Sequence, residues 1–251
     1  YRTIQYHAGG TEDALFDFQV HYAFFNPKVG FTYDLHPTSQ LYASYSVGNR
    51  EPIREDFVNA PVGQVPKHET LHDLEAGWRV RQGAMALNIN YYRMNYRNQL
   101  VLTGKLNDVG AALRTNVDDS YRQGIEIDGG VRISRLLTWN ANLTLSQNKI
   151  KSFTEVLYDY GVNYDQYNEV QIVHRNTDIA YSPNVVGSSG ITLHPSRALE
   201  FTALTKYVGE QFLDNTSNNG RIIRPYLIND LRLRYVFHPK GFREQIGRAH
   251  V

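Results

Sequence analysis

The string His68-Glu69-Thr70-Leu71-His72 has the most obvious chemical potential in this chain. On a helix, two histidines four residues apart share a face and bind zinc, leaving the glutamate to polarise a water. Pro66, just before it, could open such a helix. The residues that follow argue otherwise: Leu74, Ala76, Trp78 and Val80 recur with period two. On an extended chain His68 and His72 stand roughly 13 Å apart, too far to share one ion. The longer zinc-protease pattern would also need Gly in place of Glu75 and His in place of Trp78. The spacing predicts a strand here and no metal site.

Residues 158–169 read Tyr-Asp-Tyr-Gly-Val-Asn-Tyr-Asp-Gln-Tyr-Asn-Glu. Aromatic faces alternating with Asp and Asn offer stacking and hydrogen bonds, the chemistry of a sugar or chelate site. An exposed loop of adaptable polar residues has the same composition. The acids lack the spacing and the glycine of a calcium-binding EF-hand loop. Arg50, Glu51, Arg54, Glu55 and Asp56 crowd another polar stretch. They suit either an anionic ligand or a solvated set of ion pairs. Residues 215–220, all Asn, Thr, Ser or Gly, read as a flexible tip. Asn142-Leu143-Thr144 is a glycosylation sequon by pattern only. There is no nucleophile elbow, phosphate-binding loop or dinucleotide fingerprint. No catalytic, cofactor-binding or metal-ligating residue is assigned, and the substrate-contacting residues are left open.

The elements that must carry these residues are strands with one apolar face. Val29, Phe31, Tyr33 and Leu35 alternate with polar neighbours, as do Leu41, Ala43, Tyr45 and Val47. The same holds for Leu87, Ile89 and Tyr91, for Ile125, Ile127, Val131 and Ile133, and for Trp139, Ala141, Leu143 and Leu145. Leu231, Leu233, Tyr235 and Phe237 repeat it near the end. Period-two patterning predicts about ten antiparallel strands. Tight turns at residues 35–39, 81–83, 134–136, 194–197 and 238–241 alternate with long polar connections at 48–67, 99–119, 149–182 and 210–223. All long connections therefore leave one edge of the sheet. A soluble sandwich has no reason to keep that asymmetry, whereas an outer-membrane barrel has short periplasmic turns and long extracellular loops. Strands of roughly 10 residues, tilted about 45°, also match the hydrocarbon thickness of a bilayer.

Composition agrees with this reading. Net charge is +1, no basic run appears, and nucleic acid is not an expected partner. The absence of cysteine excludes a disulfide framework and a thiolate metal site. Mean hydropathy is negative and no apolar run is long enough for a membrane helix. A barrel tolerates both, because half of every strand faces a polar lumen. Phe24, Phe25, Tyr33, Tyr91, Tyr92, Tyr96, Tyr207 and Phe237 fall near strand ends, where interfacial aromatic girdles are expected. The first residue, Tyr1, lies inside a strand pattern with no signal peptide, which suggests a truncated chain. Residues 246–251, Ile-Gly-Arg-Ala-His-Val, break the strand grammar and equal a common sequencing adapter in translation. The genuine coding sequence is expected to stop near Glu244, with residues 245–251 an assembly artefact.

Three blocks carry a family resemblance. Asn26-Pro27-Lys28-Val29-Gly30-Phe31-Thr32-Tyr33 precedes Leu41-Tyr42-Ala43-Ser44-Tyr45-Ser46-Val47-Gly48-Asn49-Arg50-Glu51-Pro52. Lys67-His68-Glu69 is followed by Glu75-Ala76-Gly77. Ser120-Tyr121-Arg122-Gln123-Gly124-Ile125-Glu126 comes third. In this order the sequence resembles TonB-dependent outer-membrane receptors, with a Bacteroidetes flavour, from about Phe25 to Phe237. His68 stands where that family usually has proline, which gives the zinc-like string an ordinary explanation.

The resemblance implies an all-β fold, a transmembrane antiparallel fragment of a 22-stranded barrel with a plugged lumen. The plug and the first half of the barrel are not in this chain, which would supply roughly strands 11 to 20. Such a sheet should not close on itself, because its end strands have nothing to pair with. The implied function is active import across the outer membrane of a Gram-negative bacterium. The cargo is expected to be an iron–siderophore or similar metal chelate, with cobalamin or an oligosaccharide as alternatives. Implied partners are outer-membrane lipid, the receptor's own N-terminal plug and the TonB–ExbB–ExbD complex. Asn88, Asn90, Glu126, Asp128, Asn140 and Asn142 would face the lumen. Two rival readings are an outer-membrane barrel hydrolase and a soluble β-sandwich binding module. The hydrolase is disfavoured because His36, His194 and His238 all fall on the tight-turn edge.

Overall fold

A computed structural model describes residues 1–9, 17–60, 65–107 and 110–237. The turn expected at 238–241 and the terminal string 246–251 lie outside the described residues. Strands β1 (Arg2–Gly9) and β2 (Asp17–Phe24) pair as a two-stranded sheet. After them come β3 (Lys28–His36), β4 (Ser39–Arg50), the short helix α1 (Arg54–Val58), β5 (Glu69–Gln82) and β6 (Met85–Leu106). Next are β7 (Ala112–Arg132), β8 (Leu137–Asp159), β9 (Asn168–Asp178), β10 (Val185–Leu193) and β11 (Leu199–Val208). The chain continues through β12 (Gln211–Phe212), β13 (Ile222–Ile223) and β14 (Tyr226–Tyr235).

Ten of these strands form one antiparallel sheet in the order β14-β11-β10-β8-β7-β6-β5-β4-β3, with β9 paired to the far half of β8. Neighbours in sequence are neighbours in space, as in an up-and-down meander. The path ends at β3 and β14, which do not meet, so the sheet stays open as its sequence led us to expect. β2 runs on into β3 through Phe25-Asn26-Pro27, and β9 runs on into β10 through residues 179–184. The breaks coincide with Pro27 and Pro183, which have no amide to give a ladder. Pro27 still accepts from Val47 N–H through its carbonyl.

The tight turns fall where the sequence places them: β3–β4, β5–β6, β7–β8 and β10–β11 are joined by two to five residues. Gly83, at φ +57°, supplies the left-handed residue of the β5–β6 turn. The long connections need correction. Most of residues 99–119 and 149–182 is paired strand, because β6, β7 and β8 run for 22, 21 and 23 residues. Above the apolar zone neither face of a strand has to be apolar, so alternation fades while backbone pairing continues. The connection at 48–67 also holds α1, and that at 210–223 holds the β12–β13 pair.

The apolar face points outward and is exposed: Val29 is 67% exposed, and Ile125, Trp139 and Leu145 are also open. On β7 and β8 this band runs from Ile125 to Ile133 and from Leu137 to Leu145, in register as Ile125↔Leu145, Ile127↔Leu143 and Val131↔Trp139. At ~3.3 Å per residue and ~40° tilt it is on the order of 20 Å tall, close to the apolar band of a membrane barrel. Tyr33, Tyr91 and Tyr207 join the outward face as expected. Phe24, Tyr92 and Tyr96 do not. Phe24 is buried against Tyr22 and His68. Tyr92 and Tyr96 hold the even positions of β6 and share the inward face with Asn90.

Among the described residues the buried apolar cluster lies above the band: Val101, Val117, Ile150, Phe153 and Ile179. Asn98, at φ +53°, shifts the alternation of β6 there. Beyond it Val101 turns to the side of Ile150, although Ile89 and Tyr91 share its parity and face out.

Candidate ligand-binding site

The inner face of the sheet is a continuous polar wall. Register aligns Asn88 with Asp128 and Asn142, and Asn90 with Glu126 and Thr144. Tyr42 reaches across Gly77: its hydroxyl donates to Asn90 Oδ1 at 2.9 Å and lies 3.3 Å from Asn88 Oδ1. Asn90 Nδ2 donates to Glu126 at 3.4 Å, and Asn142 Nδ2 to Ser188 at 2.7 Å. Arg79 lies over the Tyr42 ring at 4.1 Å. Gly77 is required here, since an added Cβ would overlap Tyr42 Cζ and Oη and come within 2.6 Å of the Ile89 carbonyl oxygen. At Gly124 an added Cβ would meet the Leu145 carbonyl oxygen at 2.5 Å and the Tyr92 hydroxyl at 2.9 Å. Two grooves of about 720 and 390 Å³ open on this wall, sharing Asp128 and Asn140. All six residues expected to face the lumen are therefore on one surface.

A second concavity lies above the band. β7 and β8 stay paired only as far as Ser120↔Ile150. Beyond that point β7 pairs only with β6, and β8 only with β9. The two hairpins diverge and enclose a cleft of about 520 Å³. Thr103, Lys105 and Thr115 line one side; Phe153, Tyr158 and Gln171 line the other. Lys105 Nζ sits 4.2 Å from the Tyr158 ring centre. Tyr158 stacks on Tyr167 at 5.1 Å, and Tyr160 meets Tyr167 edge-on at 5.8 Å. The fold thus gathers three of the four tyrosines in the 158–169 stretch, while Tyr164 stays exposed. Lys105 carried no sequence signal, because only the divergence of the hairpins brings it to Tyr158.

A strap between β11 and β14 closes over one side of this region. Asn215, read from sequence as part of a flexible tip, is fully buried at 0% exposure. Its Nδ2 donates to the Leu102 carbonyl at 2.5 Å, and its Oδ1 accepts from Ala180 N–H at 2.8 Å. Ser217 Oγ accepts from Asp178 N–H at 2.7 Å. Arg221 bridges Asp214 at 2.8 Å and Glu155 at 3.3 Å, and Glu155 also meets His174 Nε2 at 2.9 Å. Burial alone would raise the Asp214 carboxyl. Hydrogen bonds from Thr216 and Arg221 outweigh it and hold Asp214 below its ordinary value.

Several charged residues of the stretch at 50–56 reach partners outside it, while Asp56 also accepts from Ile53 N–H at 2.8 Å. Arg114 forks onto Asp56, Nε to Oδ1 at 2.8 Å and Nη2 to Oδ2 at 2.7 Å. Arg50 meets Glu69 at 2.7 Å, and Arg2 pairs with Glu51. The zinc-like string is extended, and each residue has its own neighbours. His68 packs on Tyr22 and Phe24. Glu69 accepts from Leu100 N–H at 2.5 Å. His72 Nδ1 lies 2.7 Å from the Tyr45 hydroxyl. Among the described residues no group of three or more His, Cys, Asp or Glu is placed to hold a metal. The arrangement is one of stacking faces, amides and fixed charges, which is chemistry for holding a solute rather than for breaking bonds.

Comparison with known proteins agrees with this geometry. The family model "TonB dependent receptor-like, beta-barrel" matches residues 1–247. No curated protein matches the sequence. Among solved structures, the ferric citrate transporter FecA in its unliganded form superposes with a TM-score of 0.66 at 18% identity, over 90% of this chain and 32% of its own. The siderophore receptor PiuA from Acinetobacter baumannii gives 0.65 at 16%, over 90% and 32%. The ferric-catecholate import receptor Fiu from K12 E. coli gives 0.63 at 16%, over 93% and 34%. The chain spans about a third of the solved chains it matches.

Proposed function

This chain belongs to the TonB-dependent receptor β-barrel family, whose solved neighbours are receptors and transporters and not enzymes, and from that premise we propose that it is part of an outer-membrane importer of an iron–siderophore or similar metal chelate. The family is an outer-membrane one, and no helix among the described residues is long and apolar enough to cross a membrane. Strands supply the crossing in a barrel.

The observation that carries the reading is the division of one wall into an exposed apolar outer face and an aligned polar inner face. Such a wall separates lipid from a water-filled lumen. Cargo is caught first between the outer hairpins, where the Tyr158 and Tyr167 rings and Lys105 offer a stacking surface beside a cation. It then passes inward along the Asn88–Asp128–Asn142 row as the plug, a separate part of the receptor, is displaced by TonB. No bond is made or broken in the cargo, so no catalytic residue is needed. Neighbours named for ferric catecholate, ferric citrate and siderophore support a metal chelate as cargo.

The test is uptake of radiolabelled iron–siderophore by cells carrying the full-length receptor, with and without a working TonB. Import should require both. Import unaffected by loss of TonB would sink the reading. An oligosaccharide cargo is favoured by one feature, the stacked Tyr158–Tyr167 pair, since flat tyrosine faces also bind sugar rings. Maltodextrin-type uptake in place of iron uptake would select that alternative.

A further inference from the structure

The zinc-like string at 68–72 is not where this fold brings two histidines together. Strands β1 and β2 do so. Their register sets Gln5 opposite His21 and His7 opposite Gln19. Side chains alternate along a strand, so these four residues share one face of the hairpin. The face is filled crosswise, with the two histidines on one diagonal and the two glutamines on the other. A diagonal pair of this kind is separated by roughly 7–8 Å, within reach of long and aromatic side chains.

The two faces of the hairpin differ. On one, Tyr22 stacks on Phe24 at 5.4 Å, and the two rings meet His68 at 5.7 and 5.3 Å. Phe24 is buried there, and Arg2 lies over its ring at 5.7 Å. On the other face Gln5, His7, Gln19 and His21 are all exposed. β1 and β2 pair with each other and with no strand of the ten-stranded sheet. A two-stranded hairpin by itself is marginal in water. The packing at Phe24 secures the end of the ladder where Phe24 pairs with Arg2; His7 lies five positions further along β1.

These four positions carry neither a carboxylate nor a cation, so the imidazole nitrogens are their strongest metal ligands. An imidazole binds a metal through either ring nitrogen, at about 2.0–2.1 Å for zinc. Imidazole suits zinc and copper, and copper(II) stands above zinc in affinity for a given site. Glutamine oxygens or water can complete the coordination. A diagonal pair lets two imidazoles converge on one ion from separate strands.

We propose that His7 and His21 form a two-histidine site for a divalent copper or zinc ion, which ties β1 to β2 across the exposed face of the hairpin. None of the four residues lines the cleft or either groove of the inner wall, so the ion is a strut and not the cargo. The site stands apart from the importer reading.

The experiment is copper(II) binding to the untagged full-length receptor, followed by electron paramagnetic resonance and equilibrium dialysis, with zinc as competitor. The wild type should show nitrogen-coordinated copper that zinc displaces. His7→Gln and His21→Gln should each weaken copper affinity roughly tenfold or more, at least the loss that follows removal of an outer-shell partner. His72→Gln, in the zinc-like string, should leave it unchanged. Hydrogen exchange gives an independent readout. Free metal at about a hundred times its dissociation constant should slow exchange in residues 2–9 and 17–24 by up to about a hundredfold in the wild type, and not in His21→Gln. Copper affinity left intact by both single substitutions overturns the proposal. So does a loss in only one of them, which would mark a single-histidine contact. Copper binding at this pair by a receptor that imports no iron–siderophore would sink the importer reading and leave this one standing.

Discussion

Ser120 and Ile150 divide the long strands into two regions built on opposite principles. Below them the sheet is one layer thick, and its apolar side chains, among them Ile125, Leu143 and Leu145, are exposed. Above them the same strands bury Val101, Val117, Ile150 and Phe153 against one another, with Ile179 covering the cluster. The lower region is held by its backbone ladder, since every amide in a lipid-facing strand must be paired within the protein. The upper region is held as a water-soluble domain is, by side-chain burial and ion pairs. One chain thus uses a single strand register in two solvents. An apolar residue is stabilising on the outside below and on the inside above.

Mutations can separate the two regimes. The largest effect is expected at Asp56, whose side chain is 4% exposed in its pair with Arg114. Asp56→Ala leaves a guanidinium without its carboxylate and removes the acceptor for Ile53 N–H. Breaking a pair of this kind costs about 3–5 kcal/mol. Hydrogen exchange should report local opening of residues 51–60 and 112–117, with β7 below Ser120 unchanged. Ile150→Ala comes next at about 2–5 kcal/mol, because the side chain is 0% exposed and leaves a cavity. The same truncation at Leu143, on the lipid side, should cost far less in bilayer refolding. Equal costs at the two sites would erase the distinction. A charge reverses the ranking. Ile127→Arg, near the middle of the band, should cost about 2–4 kcal/mol in bilayer refolding, and Gln147→Arg at its border about 0–1 kcal/mol.

The lower region was legible from sequence because lipid imposes one rule on every strand. Each outward position from Ile125 to Ile133 answers to it or is glycine, and the tight turns fall where the pattern stops. The upper region was not legible, because its rule is local. Val101 and Val117 follow the parity of Ile89 and Ile125 yet are buried with Ile150, and on β6 the left-handed residue Asn98 stands between the two regimes. Asn215 resembles a loop-tip residue but is a buried latch, since a side-chain amide can satisfy two backbone groups from separate segments, Leu102 on β6 and Ala180 between β9 and β10. That Asn88, Asn90, Glu126, Asp128, Asn140 and Asn142 share one polar face was predictable from alternation. The cleft was half predictable: the tyrosine stretch announced stacking chemistry, but nothing near Lys105 announced its place beside Tyr158. His72 of the zinc-like string was readable as a strand residue from the four apolar positions that follow it, and His68 stands just before the same strand.

The smallest effect, and the sharpest test of the upper region's independence, lies in the strap. Asp214 accepts from Thr216 N–H at 3.0 Å, Thr216 Oγ1 at 2.6 Å and Arg221 at 2.8 Å. Burial opposes the charged carboxylate, but these bonds prevail and its folded value lies below the ordinary carboxyl value of 3.8. For a depressed carboxyl the sign is fixed. Its stabilisation is complete above the unfolded value and is lost as pH falls through the folded one. Hydrogen-exchange protection of residues 209–225, corrected for intrinsic rates, should therefore be flat from pH 7 to 5 and decline only below about pH 4. Asp214→Asn should start with weaker protection and lose the acid-dependent step, while leaving the strands below Ser120 unaltered at every pH. A strap that loosens between pH 7 and 5 would show that Asp214 is not what holds it. A lower sheet that loosens in step with the strap would show that the two regions are one cooperative unit after all.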